Sequence, residues 1–251
     1  MKIGIIGCGW LGTRVAQKLE KENEIFVTTR SDENTAHLKS LGLETYQIDF
    51  QTGFDLKTAE LFRNLDLVIL SLPVSKKRFS EEMAENAQEF LGDFKGQIIF
   101  FSSVGVYPHE DGIYTEESTE NLNKNISAAE NFYKNAFPQI NILRFGGLMG
   151  DERKFSKYFE NKALPKPDDI VNHIHYEDIA EIVDHLIKNK TNGKLYNVVA
   201  PLHPTKQQVL DYQTANISSE IENSQDGRIV LGNLLEKELQ YTFLKPNPVE
   251  F

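Results

Sequence analysis

Cysteine is almost missing from this chain: Cys8 is the only one in 251 residues. A single thiol cannot close an internal disulfide, which fits a reducing compartment. Long apolar runs are missing too. The longest, such as Leu67–Leu70 (LVIL), fall far short of the ~20 residues that a membrane-crossing helix needs. The opening MKIGIIGCGW carries glycine from residue 4 and no apolar stretch of signal-peptide length, so a cytoplasmic protein is expected. Basic residues are in deficit, 27 Lys and Arg against 37 Asp and Glu, for a net charge of -10. That balance excludes nucleic acid or an anionic membrane as the main partner. No internal repeat or low-complexity tract occurs. The remaining composition, 40% hydrophobic and 25% charged, suits one large α/β domain or one domain with a small appendage.

Short apolar runs alternate with longer amphipathic ones. Lys2–Ile6, Glu24–Thr29, Glu44–Ile48, Asp66–Ser71, Gln97–Ser102 and Gln139–Phe145 read as strands. Leu11–Lys21, Thr35–Leu41, Thr58–Phe62, Glu81–Leu91 and Ile126–Ala136 read as the helices between them. Runs such as LVIL and IIFF are apolar on every residue, which means burial on both faces and a parallel sheet. The alternation over residues 1–145 therefore predicts a doubly wound α/β sheet of Rossmann type. Residues 146–251 begin with a glycine-rich exit, expected to be flexible, at Gly146, Gly147 and Gly150. They continue with IHYEDIAEIVDHLI (strand end into helix), KLYNVVA (strand), PTKQQVLDYQ (helix) and RIVLG (strand). This part is expected to add to the sheet and to form a small substrate-side lobe, not an independent domain.

The segment Gly7-Cys8-Gly9-Trp10-Leu11-Gly12 places GxGxxG directly after the first strand and at the start of an amphipathic helix. In that context the spacing has a mechanism. Gly7 permits the tight turn, Gly9 lets a pyrophosphate approach the backbone, and Gly12 lets helix and sheet pack closely. The first turn of the helix, with Trp10 and Leu11, offers unpaired N–H groups to phosphate. A dinucleotide cofactor is expected. NAD-specific sites place a carboxylate about 20 residues on, against the ribose 2′-hydroxyl. Here the second strand ends in Thr28-Thr29-Arg30, and a guanidinium at Arg30 suits a 2′-phosphate. NADP is favoured, and Asp32 keeps NAD open. Asp49-Phe50 after the third strand and Leu72-Pro73 after the fourth are candidates to line adenine and ribose. Cys8, inside the glycine turn, reads as a small buried residue rather than a nucleophile.

The fifth strand ends in FFSSVGVYP, with Ser102 and Ser103 at the sheet edge where open α/β folds bind ligands. Four pieces in order, GCGWLG, SSVGVYP, ILRFGGLMG and IHYEDIAE, span residues 7 to 181. Together they resemble the extended short-chain dehydrogenase/reductases of the nucleotide-sugar epimerase/dehydratase type. The resemblance implies an NAD(P)-dependent enzyme acting on a small-molecule substrate, with Ser103 bonding the substrate oxygen and Ser102 beside the cofactor. A homodimer is compatible with it. The chain is shorter than is usual for the sugar-nucleotide enzymes, so the substrate lobe must be small.

The resemblance also implies a Tyr-x-x-x-Lys pair on the next helix, one turn apart on one face. Aligning on Ala129-Glu130 puts Leu122 and Ile126 at those positions, and neither transfers a proton. The literal matches Tyr158–Lys162 and Tyr241–Lys245 follow the sixth strand and are out of place topologically. Tyr133 and Lys134 are adjacent and diverge on a helix. Tyr107 and His109, just beyond Ser103, are the remaining candidates for proton transfer; His109 has the right intrinsic pKa. Arg144, Gly147 and His175 are the candidate substrate contacts. His173 and His175 alternate on a strand, but no third ligand at metal-site spacing accompanies them, so no metal is expected. Two functions compete: an NADP-dependent oxidoreductase or epimerase on a sugar-like or carbonyl substrate, and a non-catalytic NADP(H)-binding sensor.

Overall fold

The computed structural model describes residues 1–215 and 226–251. In chain order the first half alternates strictly: β1 (Lys2–Ile6), α1 (Trp10–Leu19), β2 (Glu24–Thr29), α2 (Asp32–Ser40), β3 (Glu44–Gln47), α3 (Leu56–Arg63), β4 (Leu67–Leu70), α4 (Glu81–Leu91) and β5 (Gln97–Ser103). A 3-10 turn at Val104–Val106 follows. Then come β6 (Gly112–Tyr114), α5 (Lys124–Ala136), β7 (Asn141–Phe145), β8 (Gly147–Met149), α6 (Phe155–Tyr158), β9 (His173–His175), α7 (Tyr176–Lys188) and β10 (Leu195–Val198). The chain closes with α8 (Lys206–Ala215), β11 (Arg228–Val230) and α9 (Asn233–Leu239).

Among the described residues the main sheet has seven parallel strands in the order β10-β7-β5-β4-β1-β2-β3. The chain runs outward from β1 to β3, returns to β4, and runs outward again. The expected doubly wound sheet is present, and its direction of winding reverses between β1 and β4. Why the central strands carry continuous apolar runs is visible in β4. Leu67 and Ile69 join one apolar layer, with α1 and α7, while Val68 and Leu70 join the opposite layer, with α3, α4 and α5. Each strand residue alternates faces, and both faces are covered.

Two local departures from the sequence reading matter for the site. Helix α2 starts at Asp32, three residues earlier than the apolar periodicity indicates. Ser31 is its N-cap, its hydroxyl accepting from the Asn34 N–H at 3.3 Å, with Asp32 and Glu33 in the first turn where the helix dipole favours them. The exit after β7 is not a loose glycine segment: Gly147–Met149 is a strand paired in parallel with His173–His175. The ring of His173 lies where a side chain on Gly147 would go, its Cδ2 1.9 Å from an ideal Cβ. Glycine here permits a close approach of two strands.

The second half extends the sheet through β10 on β7. It also adds a smaller apolar cluster of Met149, Phe155, Val171, Ala200, Val209, Val249 and Phe251. Its attachment depends on Asp178 in the first turn of α7, which is fully buried. Asp178 accepts from the Tyr241 hydroxyl at 2.7 Å and from the backbone N–H groups of Leu244 and Lys245 at 2.7 and 3.0 Å. No helix among the described residues is long and apolar enough to cross a membrane.

Candidate functional site

The reversal between β1 and β4 opens a crevice at the carboxyl ends of the strands, the place where open α/β sheets take their ligands. Gly7 turns there with φ of +81°, and an ideal Cβ on it would lie 2.9 Å from the Ser71 carbonyl oxygen and 3.2 Å from Leu72 Cδ2. Only glycine satisfies both the backbone angle and the contact. Gly9, the N-cap of α1, is the opposite case: a Cβ there would meet nothing within 4 Å. Space is open above the turn, and among the described residues no side chain caps the first N–H groups of α1. A free, positively polarised helix end below an open cradle fits the pyrophosphate of a dinucleotide. Gly12 packs against the strand, 3.4 Å from Ile5 Cγ2 at its absent Cβ.

The turn is braced from β2 and α2. Thr28 Oγ1 accepts from the Gly7 N–H at 3.1 Å, and the Thr28 carbonyl accepts from the Cys8 N–H at 2.7 Å. Asn34 Nδ2 donates to the Cys8 carbonyl and to Thr29 Oγ1, both at 2.7 Å. Thr29 is thereby a buried brace. Asn34 has no periodic or motif signal beyond being an amide in a helix first turn. Arg30 follows β2 directly, exposed, and its carbonyl accepts from Gln47 Nε2 at 3.2 Å. Cys8 is fully buried and its thiol pKa is pushed up to about 11 by that burial, which leaves it inert.

Trp10 stands at the rim. The Arg153 guanidinium lies 3.9 Å from its ring centroid and that of Arg14 4.1 Å, while Tyr176 meets it edge-on at 5.8 Å. Arg14 is paired with Asp151. Of the adenine and ribose candidates, Leu72 reaches the glycine turn and Pro73 is exposed beside it. The Asp49 carboxylate accepts from the Gln51 N–H at 3.0 Å. Phe50 points inward against Phe90, ring centroids 5.3 Å apart, and its carbonyl accepts from Asn86 Nδ2 at 2.9 Å.

The serines at the end of β5 part company. Ser102 is buried and donates to Glu130 Oε1 at 2.5 Å. Ser103 is half-buried, its Oγ accepts from the Gly105 N–H at 3.0 Å, and its own proton has no acceptor among the described residues. Glu130 also binds Arg144 with both oxygens. Arg144 Nη1 donates to the Tyr107 hydroxyl at 2.9 Å, and that hydroxyl donates to Asn197 Oδ1 at 2.7 Å. Tyr107 is 1% and Arg144 5% exposed. Burial is the largest influence on Tyr107 and pushes its pKa up, against the pull of Arg144. These two side chains are therefore engaged with one another and with Glu130 beneath the crevice. The Ala129-Glu130 pair was legible as a motif element; its buried network was not.

On α5, Ile126 Cδ1 lies 3.3 Å from where a Gly105 Cβ would sit, beside Ser103 Oγ at 3.1 Å from the same point. An aliphatic side chain thus packs beside the turn that follows the serine. Tyr133, the phenol nearest in sequence, turns to the sheet, its ring 4.9 Å from that of Phe100. Around the same turn the candidate His109 meets a basic group that the sequence did not single out, Lys76. Lys76 Cε is 2.6 Å from that Cβ position, and Lys76 Nζ is 2.6 Å from His109 Nε2. The Lys76 charge is the first cause, burial the second, of a lowered His109 pKa.

His175 is a helix cap. Its Nδ1 accepts from the Glu177 N–H at 3.3 Å, and burial lowers its pKa despite the nearby Glu177. His173 packs on Phe155 at 5.3 Å, and burial lowers its pKa to about 4. No group of three or more metal-ligating side chains occurs among the described residues.

Solved structures with this architecture are numerous. An NAD-dependent epimerase/dehydratase of Methylobacillus flagellatus matches with a TM-score of 0.80 and 22% identity over 99% of this chain and 95% of its own. The fold is that of the NAD-dependent epimerase/dehydratases. The UDP-glucuronic acid 4-epimerase of Bacillus cereus, solved with NAD, gives a TM-score of 0.76 at 18% identity, covering 100% of this chain and 94% of its own. MoeE5, solved with UDP-glucose and NAD, gives 0.77 at 14% identity, with 100% and 95% coverage. No family model matches the chain. Among curated proteins, Protein YeeZ of Escherichia coli K12 is 25% identical over an alignment of 268 residues, covering 99% of this chain and 97% of that protein. The epimerase/dehydratase fold thus runs through this chain from end to end.

Proposed function

We propose that the protein is an NAD(P)-dependent oxidoreductase or epimerase acting on a sugar-like or carbonyl substrate, with acid/base groups other than a tyrosine and lysine on α5. The observation that carries this reading is the open cradle over Gly9 at the winding reversal, with the free Ser103 hydroxyl on the same strand edge. The glycine turn and the first turn of α1 would hold the pyrophosphate, and Leu72 and Pro73 would lie along the ribose. Arg30, beyond β2, favours NADP over NAD. When bound, the dinucleotide supplies hydride transfer. Ser103 orients a substrate oxygen by donating its proton to it, and the aliphatic Ile126 keeps water from that side. The lone buried thiol supports a cytoplasmic setting.

A second reading, a dinucleotide sensor without turnover, is favoured by one observation: the aliphatic Ile126, which transfers no proton, packs beside the turn that follows Ser103. Thermal unfolding with NADPH, with NADH and with neither tests the common premise. Ligand at about 100 times its dissociation constant adds roughly 2.7 kcal/mol. Absence of a shift with either dinucleotide would falsify both readings. Turnover of a carbonyl or sugar-nucleotide panel, lost in Ser103→Ala with cofactor affinity kept, separates the enzyme from the sensor.

A further inference from the structure

The turn that follows Ser103 is held by an arginine from far along the chain. Arg228, on β11, donates Nη2 to the Val104 carbonyl at 2.7 Å and Nε to the Pro108 carbonyl at 2.6 Å. Its Nη1 has no hydrogen-bond partner among the described residues, and its guanidinium lies 5.7 Å from the Tyr114 ring centroid. From the other side comes Lys76, in the segment between β4 and α4. Its backbone carbonyl accepts from Asn125 Nδ2 at 2.8 Å, which ties it to the start of α5. Its side chain crosses Gly105, where any Cβ would collide with it, and ends on His109. An ammonium has only donors, so His109 Nε2 accepts and the ring proton sits on Nδ1.

No carboxylate among the described residues forms an ion pair with Lys76, His109 or Arg228. Burial and Arg228 lower the Lys76 pKa. His109 also faces Lys166, which adds to the depression, and Asp169, which opposes it. Asp169 is itself paired with Lys206 at 2.7 Å. Three basic groups are thus held together, from three separate elements, in a chain whose net charge is -10. Uncompensated like charges cost stability, and such clusters occur where a ligand of opposite charge offsets the cost. Donor-bearing side chains that converge on one turn bind an oxyanion by charge-assisted hydrogen bonds.

We propose that Lys76, His109 and Arg228 form an oxyanion subsite one turn beyond Ser103, so that the substrate carries a phosphate or carboxylate group seated there. This rests on the functional reading above and narrows its substrate class to acidic compounds. The anion places the neighbouring carbon and oxygen against Ser103.

The test uses the whole protein labelled on its histidines, with His109 assigned through His109→Gln. Its imidazole is titrated by NMR at constant ionic strength in chloride, in inorganic pyrophosphate and in malonate. An anion at the subsite raises the His109 midpoint, and Lys76→Gln weakens that anion at least about tenfold, whereas Lys76→Arg restores it. Tighter binding of pyrophosphate assigns a phosphorylated substrate; tighter binding of malonate assigns a carboxylate. The proposal is overturned if neither anion moves His109, or if Lys76→Gln binds as the parent does. NADPH affinity is read in the same samples from the fluorescence of Trp10, the only tryptophan in the chain. Loss of cofactor binding there sinks the functional reading, while the His109 titration judges the subsite by itself.

Discussion

Arg144 donates to both carboxylate oxygens of Glu130, Nε to Oε1 at 3.0 Å and Nη2 to Oε2 at 2.6 Å. The pair links β7 to α5, and Ser102 adds a third bond from β5. Removing one partner of a buried ion pair leaves the other uncompensated, which costs about 3–5 kcal/mol. Glu130→Ala is therefore expected to lower unfolding free energy by roughly 3 kcal/mol. The double variant Glu130→Met/Arg144→Met is expected to lose less than Glu130→Ala alone. Urea denaturation of the set decides it. Equal losses in single and double variants would show that the carboxylate contributes packing rather than charge.

The Tyr241–Lys245 segment matches a catalytic spacing by chance and serves a structural end. It wraps the buried Asp178, whose pKa burial pushes up against the pull of the three donors. Tyr241→Phe removes one of the donors and is expected to destabilise by about 1.5–3 kcal/mol, the range for a hydrogen bond to a charged group. The Tyr241 hydroxyl bonds Asp178 and its ring packs on Phe243, so dinucleotide affinity is expected to stay constant. A fall in affinity without a fall in stability would contradict the structural role.

Tyr133 supplies a contrasting case. Its hydroxyl is buried and has no hydrogen-bond partner among the described residues, and burial alone pushes its pKa up. A buried unmade hydrogen bond costs about 1–3 kcal/mol. Tyr133→Phe is thus expected to raise the denaturation midpoint, by roughly 1 kcal/mol in free energy. A destabilised variant would mean that this hydroxyl has a partner, such as water.

What could be read in advance, and what could not, follows from range. Strand and helix identity came from alternation within ten residues or so: β4 at every position and β5 from Ile98 to Phe101 are apolar because the sheet is covered twice. The glycine turn was legible because Gly7 and Gly9 answer to local backbone demands. Asn34, Lys76 and Glu130 were not, since each acts through contacts formed across elements. Phe50, by its ring, belongs to the core, and Ser102 bonds Glu130; at strand ends, sequence position alone does not tell which way a side chain turns. The start of α2 at Asp32 was missed because a cap, not apolar periodicity, sets it. Asp32 is thereby drawn into the helix, leaving Arg30 as the charged group directly beyond β2.

Acid sensitivity should centre on His173. Its pKa is about 4 in the folded chain against 6.5 for an ordinary imidazole. The unfolded chain therefore binds more protons between those values, and stability falls as pH drops through that window. The slope is at most about 1.4 kcal/mol per pH unit, so the whole effect is on the order of 3 kcal/mol. Above pH 6.5 the contribution is fully present. His175 and His203, also depressed by burial, add in the same direction. His173→Gln is expected to be less stable than the parent at pH 7 but to lose less on going to pH 5. Parallel urea midpoints for the two proteins across that range would rule out His173 as the source.

On the proposed function, Arg30 sets the choice of dinucleotide. It is exposed at the end of β2, and among the described residues only its backbone is engaged, by Gln47. A guanidinium free to meet a 2′-phosphate contributes a charge-assisted bond of about 1.5–3 kcal/mol, discounted here for exposure to solvent. The expected result is that Arg30→Ala weakens NADPH about tenfold while leaving NADH within a factor of about two. Trp10 fluorescence titrations with both dinucleotides supply the constants, and rising ionic strength should narrow the gap in the parent protein. A parent protein that prefers NADH, or a variant that loses both dinucleotides equally, would show that the selectivity resides elsewhere on the β2–α2 connection.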